Sequence, residues 1–320
     1  MSLQNHRAPS LAVGDAPASL ACKEAPIVVL DSGLGGLTVV RALRRELPAE
    51  RIVYFGDTAR LPYGSKSPET VQQYVKQIIG YLMPMAPKHV VIACNTATAL
   101  ALPAALEAFP GVPISGVIDP GARAAVAAAG AIKHPVIGIL ATDATVRSGA
   151  YERAIIRRRQ LARILLRPAP LLAPMVEEGR NCNDPLVKLA LEQYLRPLVD
   201  RGLDVLVLGC THYPIFRTAI EQTVGPRVMV IDSAHQCAQD VARRLRKAGM
   251  LRQPAKPAAT QPGTPKIRGP LSCFVSDDPD RFGVLARRFL GEIMRPPTLV
   301  EPELLYRQTA AAPVRLRPAG

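Results

Sequence analysis

The feature that most constrains this chain is a series of short apolar segments, each followed by a small-residue turn and a helical stretch. PIVVLDSGLGG (26–36), RIVYF (51–55), HVVIA (89–93), VPISGVI (112–118), HPVIGIL (134–140), DVLVLG (204–209) and RVMVI (227–231) are short for helices and too uniformly apolar for a sheet with one wet face. Between them lie stretches such as LTVVRALRREL, and a segment in which Ser67 and Pro68 precede Val71, Val75, Ile78, Ile79 and Leu82 at helical spacing. Strands alternating with helices predict an α/β fold of mainly parallel sheets covered on both faces. Ligands of such sheets bind beyond the carboxyl ends of the strands.

The segments also echo one another. VVIACNTATAL (90–100) and VLVLGCTHYPI (205–215) share an apolar strand, a small residue, a cysteine and then hydrogen-bonding residues. PIVVLDSGLGGLTVVRAL and PVIGILATDATVRSGAYERAI form a second pair, and Cys94 is separated from Cys210 by nearly the interval between Ile27 and Val136. Two similar α/β halves are expected, each with a cysteine at the same topological place. Residues 1–25 are expected to be a disordered arm, 252–270 a flexible Pro-, Ala- and Lys-rich insertion, and 304–320 a tail.

Composition removes several function classes. Aromatics are 4% and Trp is absent, so Val, Leu, Ile and Ala must build the core. The net charge of +14 concentrates in 147–167 and 243–256, without the interleaved aromatics of a single-strand-binding platform. These stretches are expected to be solvated helix faces, and a nucleic-acid partner is not favoured. The six cysteines show neither C-x-x-C nor a zinc-ligand spacing. No run reaches transmembrane length, and residues 1–25 lack the apolar core of a signal peptide. Free thiols in a reducing cytoplasm, away from membranes, are the expected setting.

Cys94 and Cys210 each follow a strand, with Asn95 and Thr96 or Thr211 and His212 next. A thiol at a helix start feels nearby N–H groups, a setting expected to lower its pKa. One thiol beside a histidine would suit nucleophilic catalysis, and each cysteine alone would pass as a small buried hydrophobe. Two thiols in matched settings suit a different task. One removes a proton from a carbon while the other delivers one to the opposite face, inverting a stereocentre without a cofactor. Asp31 and His212 are the candidate proton relays, against the plainer roles of turn cap and structural histidine. DSGLGG departs from G-x-G-x-x-G, so it speaks weakly for a flavodoxin-like or Rossmann-like nucleotide module. Its glycines, and those of LPYG (61–64), can instead offer backbone N–H groups to a carboxylate. Thr98, Thr145 and Ser148 add candidate hydroxyl donors.

The motifs DSGLGGLTV (31–39), YFGDTARLPYGSKS (54–67), VIACNTATA (91–99), GVIDPGA (116–122), VEEG (176–179), VLGCTHYP (207–214) and IDSA (231–234) occur in order. On them the chain resembles the glutamate racemases of bacterial cell-wall synthesis, from about residue 26 to about 302. The resemblance implies cofactor-independent interconversion of L- and D-glutamate, supplying D-glutamate for peptidoglycan. It implies Cys94 as the acid/base for the D-enantiomer and Cys210 for the L-enantiomer. Asp31 would support Cys94, with His212 and Glu177, whose neighbour Glu178 competes for the role, supporting Cys210. Substrate contacts would fall on Asp31, Ser32, Tyr63, Gly64, Asn95, Thr96, Thr211 and His212, with no metal. The same resemblance implies two pseudo-symmetric doubly wound domains, 26–118 plus 232–303 and 119–231, with the active site between them. A homodimer and an activator drawn from cell-wall precursors are further expectations. An aspartate racemase is the near alternative. Pro103 after Cys94 should kink or break its helix. LRPAPLLAPMVEEG (166–179) and Ala144 in ATDAT (141–145) depart from the family pattern and are expected to alter the cleft wall.

Overall fold

The computed structural model describes residues 22–253, 269–292 and 294–306. Most of the expected arm, insertion and tail therefore lies outside the described residues. The elements run β1 (Ile27–Asp31), α1 (Leu37–Glu46), β2 (Ile52–Gly56), α2 (Pro68–Leu82), β3 (His89–Ile92), α3 (Asn95–Ala108), β4 (Ile114–Gly116) and α4 (Ile118–Ala129). They continue through β5 (Val136–Ala141), α5 (Asp143–Arg147), α6 (Ala150–Ile156), β6 (Arg163–Pro168), α7 (Leu172–Glu177), α8 (Pro185–Val199), β7 (Val205–Gly209), α9 (Arg217–Val224) and β8 (Met229–Asp232). The chain then adds α10 (Ser233–Lys247), β9 (Leu271–Val275), α11 (Pro279–Leu290), β10 (Thr298–Leu299) and α12 (Pro302–Tyr306).

Two sheets result. One has the order β10-β9-β2-β1-β3-β4, the other β6-β5-β7-β8, and every described strand pair is parallel. The order β2-β1-β3-β4 in the first sheet repeats as β6-β5-β7-β8 in the second, so the sequence echo is a repeat of topology. Both sheets carry helices on both faces. Along β1, Ile27 and Val29 enter one apolar cluster and Val28 and Leu30 another, and all four are buried. This explains why the strand segments are continuously apolar. The cluster containing Ile27 also holds Leu140 and Leu208, so it runs from one sheet to the other.

Local signals act as expected at α2, where Ser67 Oγ accepts from Thr70 N at 3.3 Å and Pro68 opens the first turn. Two expectations are corrected. Helix α3 continues through Pro103 to Ala108. Pro103 is exposed, while Ala97, Ala101 and Ala105 are buried on the opposite side, so the lost hydrogen bond falls where water can replace it. The basic stretch 147–167 is not simply a helix face. Arg163–Pro168 forms edge strand β6, in which Leu165 is buried while Arg163 and Leu166 are exposed. Charge on an edge strand discourages pairing with other chains. Among the described residues, no helix is long and apolar enough to cross a membrane.

Candidate active site

The topological switch of each sheet lies at the carboxyl ends of its first and third strands. In the first sheet these ends carry Asp31 and Cys94, and in the second Thr142 and Cys210. Cys94 caps α3, its Sγ accepting from Ala97 N at 3.4 Å. Cys210 follows Gly209 directly and enters a short 3₁₀ turn, Tyr213–Phe216, through Thr211 and His212. The two thiols are only 6% and 7% exposed. They share one electrostatic environment, because charge on Cys210 raises the pKa of Cys94.

Burial pushes the Cys94 thiol up to about 12. The Asp31 charge adds to this, and the Ala97 N–H and Ser32 hydroxyl only partly offset it. The expected lowering of this thiol is therefore corrected: desolvation outweighs the helix terminus. Burial also raises Asp31, against the lowering effect of His212 and of the Gly36 and Gly33 N–H groups. Asp31 Oδ2 accepts from Gly33 N at 3.0 Å, while buried Oδ1 has no hydrogen-bond partner among the described residues. Asp31 thus caps the turn with one oxygen and leaves the other unpartnered among the described residues.

His212 is 5% exposed, and its Nδ1 lies 3.8 Å from Cys210 Sγ. Its Nε2 lies 2.9 Å from Glu177 Oε1 at the end of α7. Burial alone would lower this histidine, but Cys210 and then Glu177 outweigh it and bring the pKa to about 10. Neighbouring Glu178 instead pairs with Arg180 at 2.9 Å. The geometry thereby separates two adjacent carboxylates that the sequence alone did not.

Close approaches join the halves around these groups. A Cβ on Gly35 would stand 2.2 Å from Thr211 Oγ1 and 2.6 Å from His212 Nδ1, so only glycine lets the DSGLGG turn meet the Cys210 turn. A Cβ on Gly64 would lie 3.1 Å from Thr142 Cβ. Thr96 Oγ1 lies 2.8 Å from Thr142 Oγ1 and 3.3 Å from Thr145 Oγ1, forming a hydroxyl cluster between the halves. Asn95, Thr96, Thr211 and His212 are all buried here, and Ser32 is half-buried. A cavity of about 150 Å³ opens beside Glu177, between Leu34, Leu61, Phe282 and Leu285.

Other predicted residues fall elsewhere. The Tyr63 side chain turns inward, its hydroxyl donating to Asp57 Oδ2. Asp57 also takes Arg60 Nε at 2.7 Å and the Ser276 hydroxyl at 2.8 Å. Only the backbone of Tyr63 and Gly64 is left to face a ligand. The Thr98 hydroxyl donates to Ile92 O at 2.8 Å, and that of Ser148 donates to Thr145 O at 2.6 Å, so both are spent on local backbone. Sequence reasoning missed Thr142, Tyr151, Arg288 and Phe289. Arg288 Nη1 donates to Val176 O at 2.8 Å beside Glu177, and the Phe289 ring stands edge-on to His212 at 5.6 Å. Tyr151 donates to Asn95 Oδ1 at 2.7 Å. The one signal for Thr142 was its place opposite Asp31 in the internal repeat. Among the described residues, no group of three or more His, Cys, Asp or Glu side chains could hold a metal.

Twinned parallel sheets with a buried thiol at each switch point define a two-half α/β fold with a shared site at the strand ends. The family model for Asp/Glu/hydantoin racemases matches residues 27–241, and the chain belongs to this family. It is 41% identical over 268 residues to the glutamate racemase of Chlorobaculum tepidum, covering 84% of this chain and 93% of that one. Its structure is similar to glutamate racemase RacE1 from Bacillus anthracis (TM-score 0.77, 35% identity, 87% and 97% of the two chains). It is also similar to glutamate racemase from Francisella tularensis in complex with D-glutamate (TM-score 0.76, 32% identity, 87% and 98%).

Proposed function

We propose that this protein interconverts L- and D-glutamate by moving the α-proton between Cys94 and Cys210. The observation that carries this reading is the placement of two buried, electrostatically linked thiols after equivalent strands of twinned sheets. The domain division 26–118 plus 232–303 against 119–231 is supported by strand membership, with β1–β4, β9 and β10 in one sheet and β5–β8 in the other. The product role, supply of D-glutamate for peptidoglycan, follows from the family.

In the direction from L to D, Cys210 takes the proton from the α-carbon and Cys94 gives its own to the opposite face. The bond pair left by the departing proton becomes the bond to the arriving one, so the stereocentre inverts without oxidation or reduction. Cys94, held as a thiol by its pKa of about 12, is set to be the donor in this direction. Once it has given its proton it becomes a strong base, suited to the reverse reaction. The cationic His212, kept protonated by Cys210 and Glu177, returns protons on one side. The unpartnered oxygen of Asp31 serves the other. Ser32 and the backbone of Tyr63 and Gly64, with Asn95, Thr96 and Thr211, hold the substrate. Exclusion of water strengthens each of these interactions. A homodimer and a cell-wall-precursor activator rest on family likeness alone.

Purified protein and its Cys94→Ala and Cys210→Ala variants, assayed with both enantiomers of glutamate and of aspartate, test the reading. Glutamate is expected to turn over faster than aspartate, and each variant is expected to lose about 10³-fold or more in racemisation. Faster aspartate turnover overturns the substrate, and near-normal racemisation by either variant overturns the mechanism.

A further inference from the structure

Asn95 opens α3 directly after Cys94 and is 2% exposed. Its Oδ1 accepts from the Tyr151 hydroxyl at 2.7 Å, whereas Nδ2 is buried with no acceptor among the described residues. A buried N–H group without an acceptor is costly, so such an atom points to an acceptor brought by a ligand. An asparagine amide has a donor end and an acceptor end on one torsion, and its neighbours decide which end faces where.

Tyr151 lies on α6, which belongs with the second sheet, whereas Asn95 follows a strand of the first. The tyrosine is 2% exposed and tightly seated. A Cβ on Gly121 would lie 3.1 Å from its hydroxyl oxygen, and one on Gly209 would lie 3.2 Å from its ring. Burial raises its phenol above the ordinary range, so the group keeps its proton as a donor. With that donor fixed on Oδ1, Nδ2 must turn the other way.

We infer that Tyr151 is a positioning residue that reaches from the second half of the molecule and sets the Asn95 amide so that Nδ2 is offered to a carboxylate oxygen of glutamate beside Cys94. The inference rests on the proposed reading, in which glutamate binds between the halves. It adds a coupling: the donor is oriented only when the halves are docked, the same arrangement that unites the thiols. Binding and assembly of the proton-transfer pair then depend on one contact.

The test is a double-substitution cycle with Tyr151→Phe, Asn95→Ala and both together, reading KM and kcat for L- and D-glutamate and the melting temperature. Tyr151→Phe keeps the ring and removes only the donor. It is expected to raise KM about 5- to 10-fold, the worth of one ordinary hydrogen bond, with kcat changed much less. Asn95→Ala is expected to raise KM by at least as much, and the double variant to match Asn95→Ala alone. An unchanged KM in Tyr151→Phe, or effects that multiply in the double variant, would overturn the inference. A purely structural role would lower the melting temperature and leave KM unmoved. Should Tyr151→Phe fold poorly, Asn95→Asp gives the second reading. It keeps the acceptor for Tyr151 but replaces Nδ2 with a charged oxygen, and KM should climb above that of Asn95→Ala. A KM no higher than that of Asn95→Ala counts against the inference. These readouts report glutamate binding, so they stand apart from the thiol variants, whose retained racemisation would sink the mechanism instead.

Discussion

Glu177→Gln isolates the part that charge plays on the Cys210 side. Glutamine retains an oxygen to accept from His212 Nε2, now 2.9 Å from Glu177 Oε1, so shape persists and only the charge is lost. Two unit charges about 4 Å apart interact by about 4 kcal/mol at an effective dielectric of about 20. The Glu177 side chain is 23% exposed, and solvent screening cuts this figure. A loss of about one to two pKa units remains, or about 1.4–2.7 kcal/mol. His212, raised to about 10 chiefly by Cys210 and Glu177 against burial, should then titrate about one to two units lower. The sign follows from the charge: removing an anion destabilises the imidazolium, so the cation is lost at lower pH. Near neutrality the variant still holds most of its imidazolium and should lose little activity. At moderately alkaline pH it should fall about tenfold below the parent, with the alkaline limb of kcat/KM shifted down. The enantiomers have equal free energy in water, so kcat/KM must fall by the same factor in both directions. Circular dichroism of the racemisation across the pH range, with nitrogen-labelled histidine followed by NMR, reads both quantities. An alkaline limb that stays near the parent's position, or moves upward, would refute the pairing of Glu177 with His212.

Two other predictions follow from packing. Gly35→Ala should cut kcat/KM about 100-fold, because its Cβ would press within 2.2 Å of Thr211 and 2.6 Å of His212 and displace both; unfolding in urea should show a loss of only about 1–3 kcal/mol, and near-normal turnover would contradict the close approach. Lys88→Met should cost about 3–5 kcal/mol in the same denaturation, since Lys88 and Glu50 form an ion pair with side chains 0% and 1% exposed, and an uncompensated buried carboxylate would remain. Racemisation per folded molecule should be unchanged in Lys88→Met, which lies away from the thiols, and unchanged stability would contradict the burial of the pair.

Much of the fold was legible because parallel strands covered on both faces must be apolar along their whole length. Ile27–Asp31, Ile52–Gly56 and Val205–Gly209 carry that signature, and Ser67 with Pro68 marks the start of α2. Edge strand β6 was hidden, because one side of an edge strand meets water and its arginines read as a solvated helix. The cysteines were legible from the internal echo. Their electrostatics were not: the N–H group at the helix start does lower the Cys94 pKa, but burial, which the sequence did not reveal, raises it by more. The hydroxyls of Thr98 and Ser148 turn to local backbone, which motif position could not foretell because it says nothing about which way a side chain points. Tyr151 and Arg288 escaped notice because their partners, Asn95 and the Glu177 segment, come from the opposite half of the molecule.

Glutamate turnover in deuterated water, stopped at low conversion, tests the two-thiol exchange most directly. Starting from L-glutamate, the D-glutamate formed should carry deuterium at the α-carbon while the remaining L-glutamate still carries protium. The atom removed goes to one sulfur and the atom delivered comes from another that has equilibrated with solvent. Product D-glutamate that keeps the original protium would mean that one group carries the same proton across both faces, and the account of Cys94 and Cys210 would be wrong.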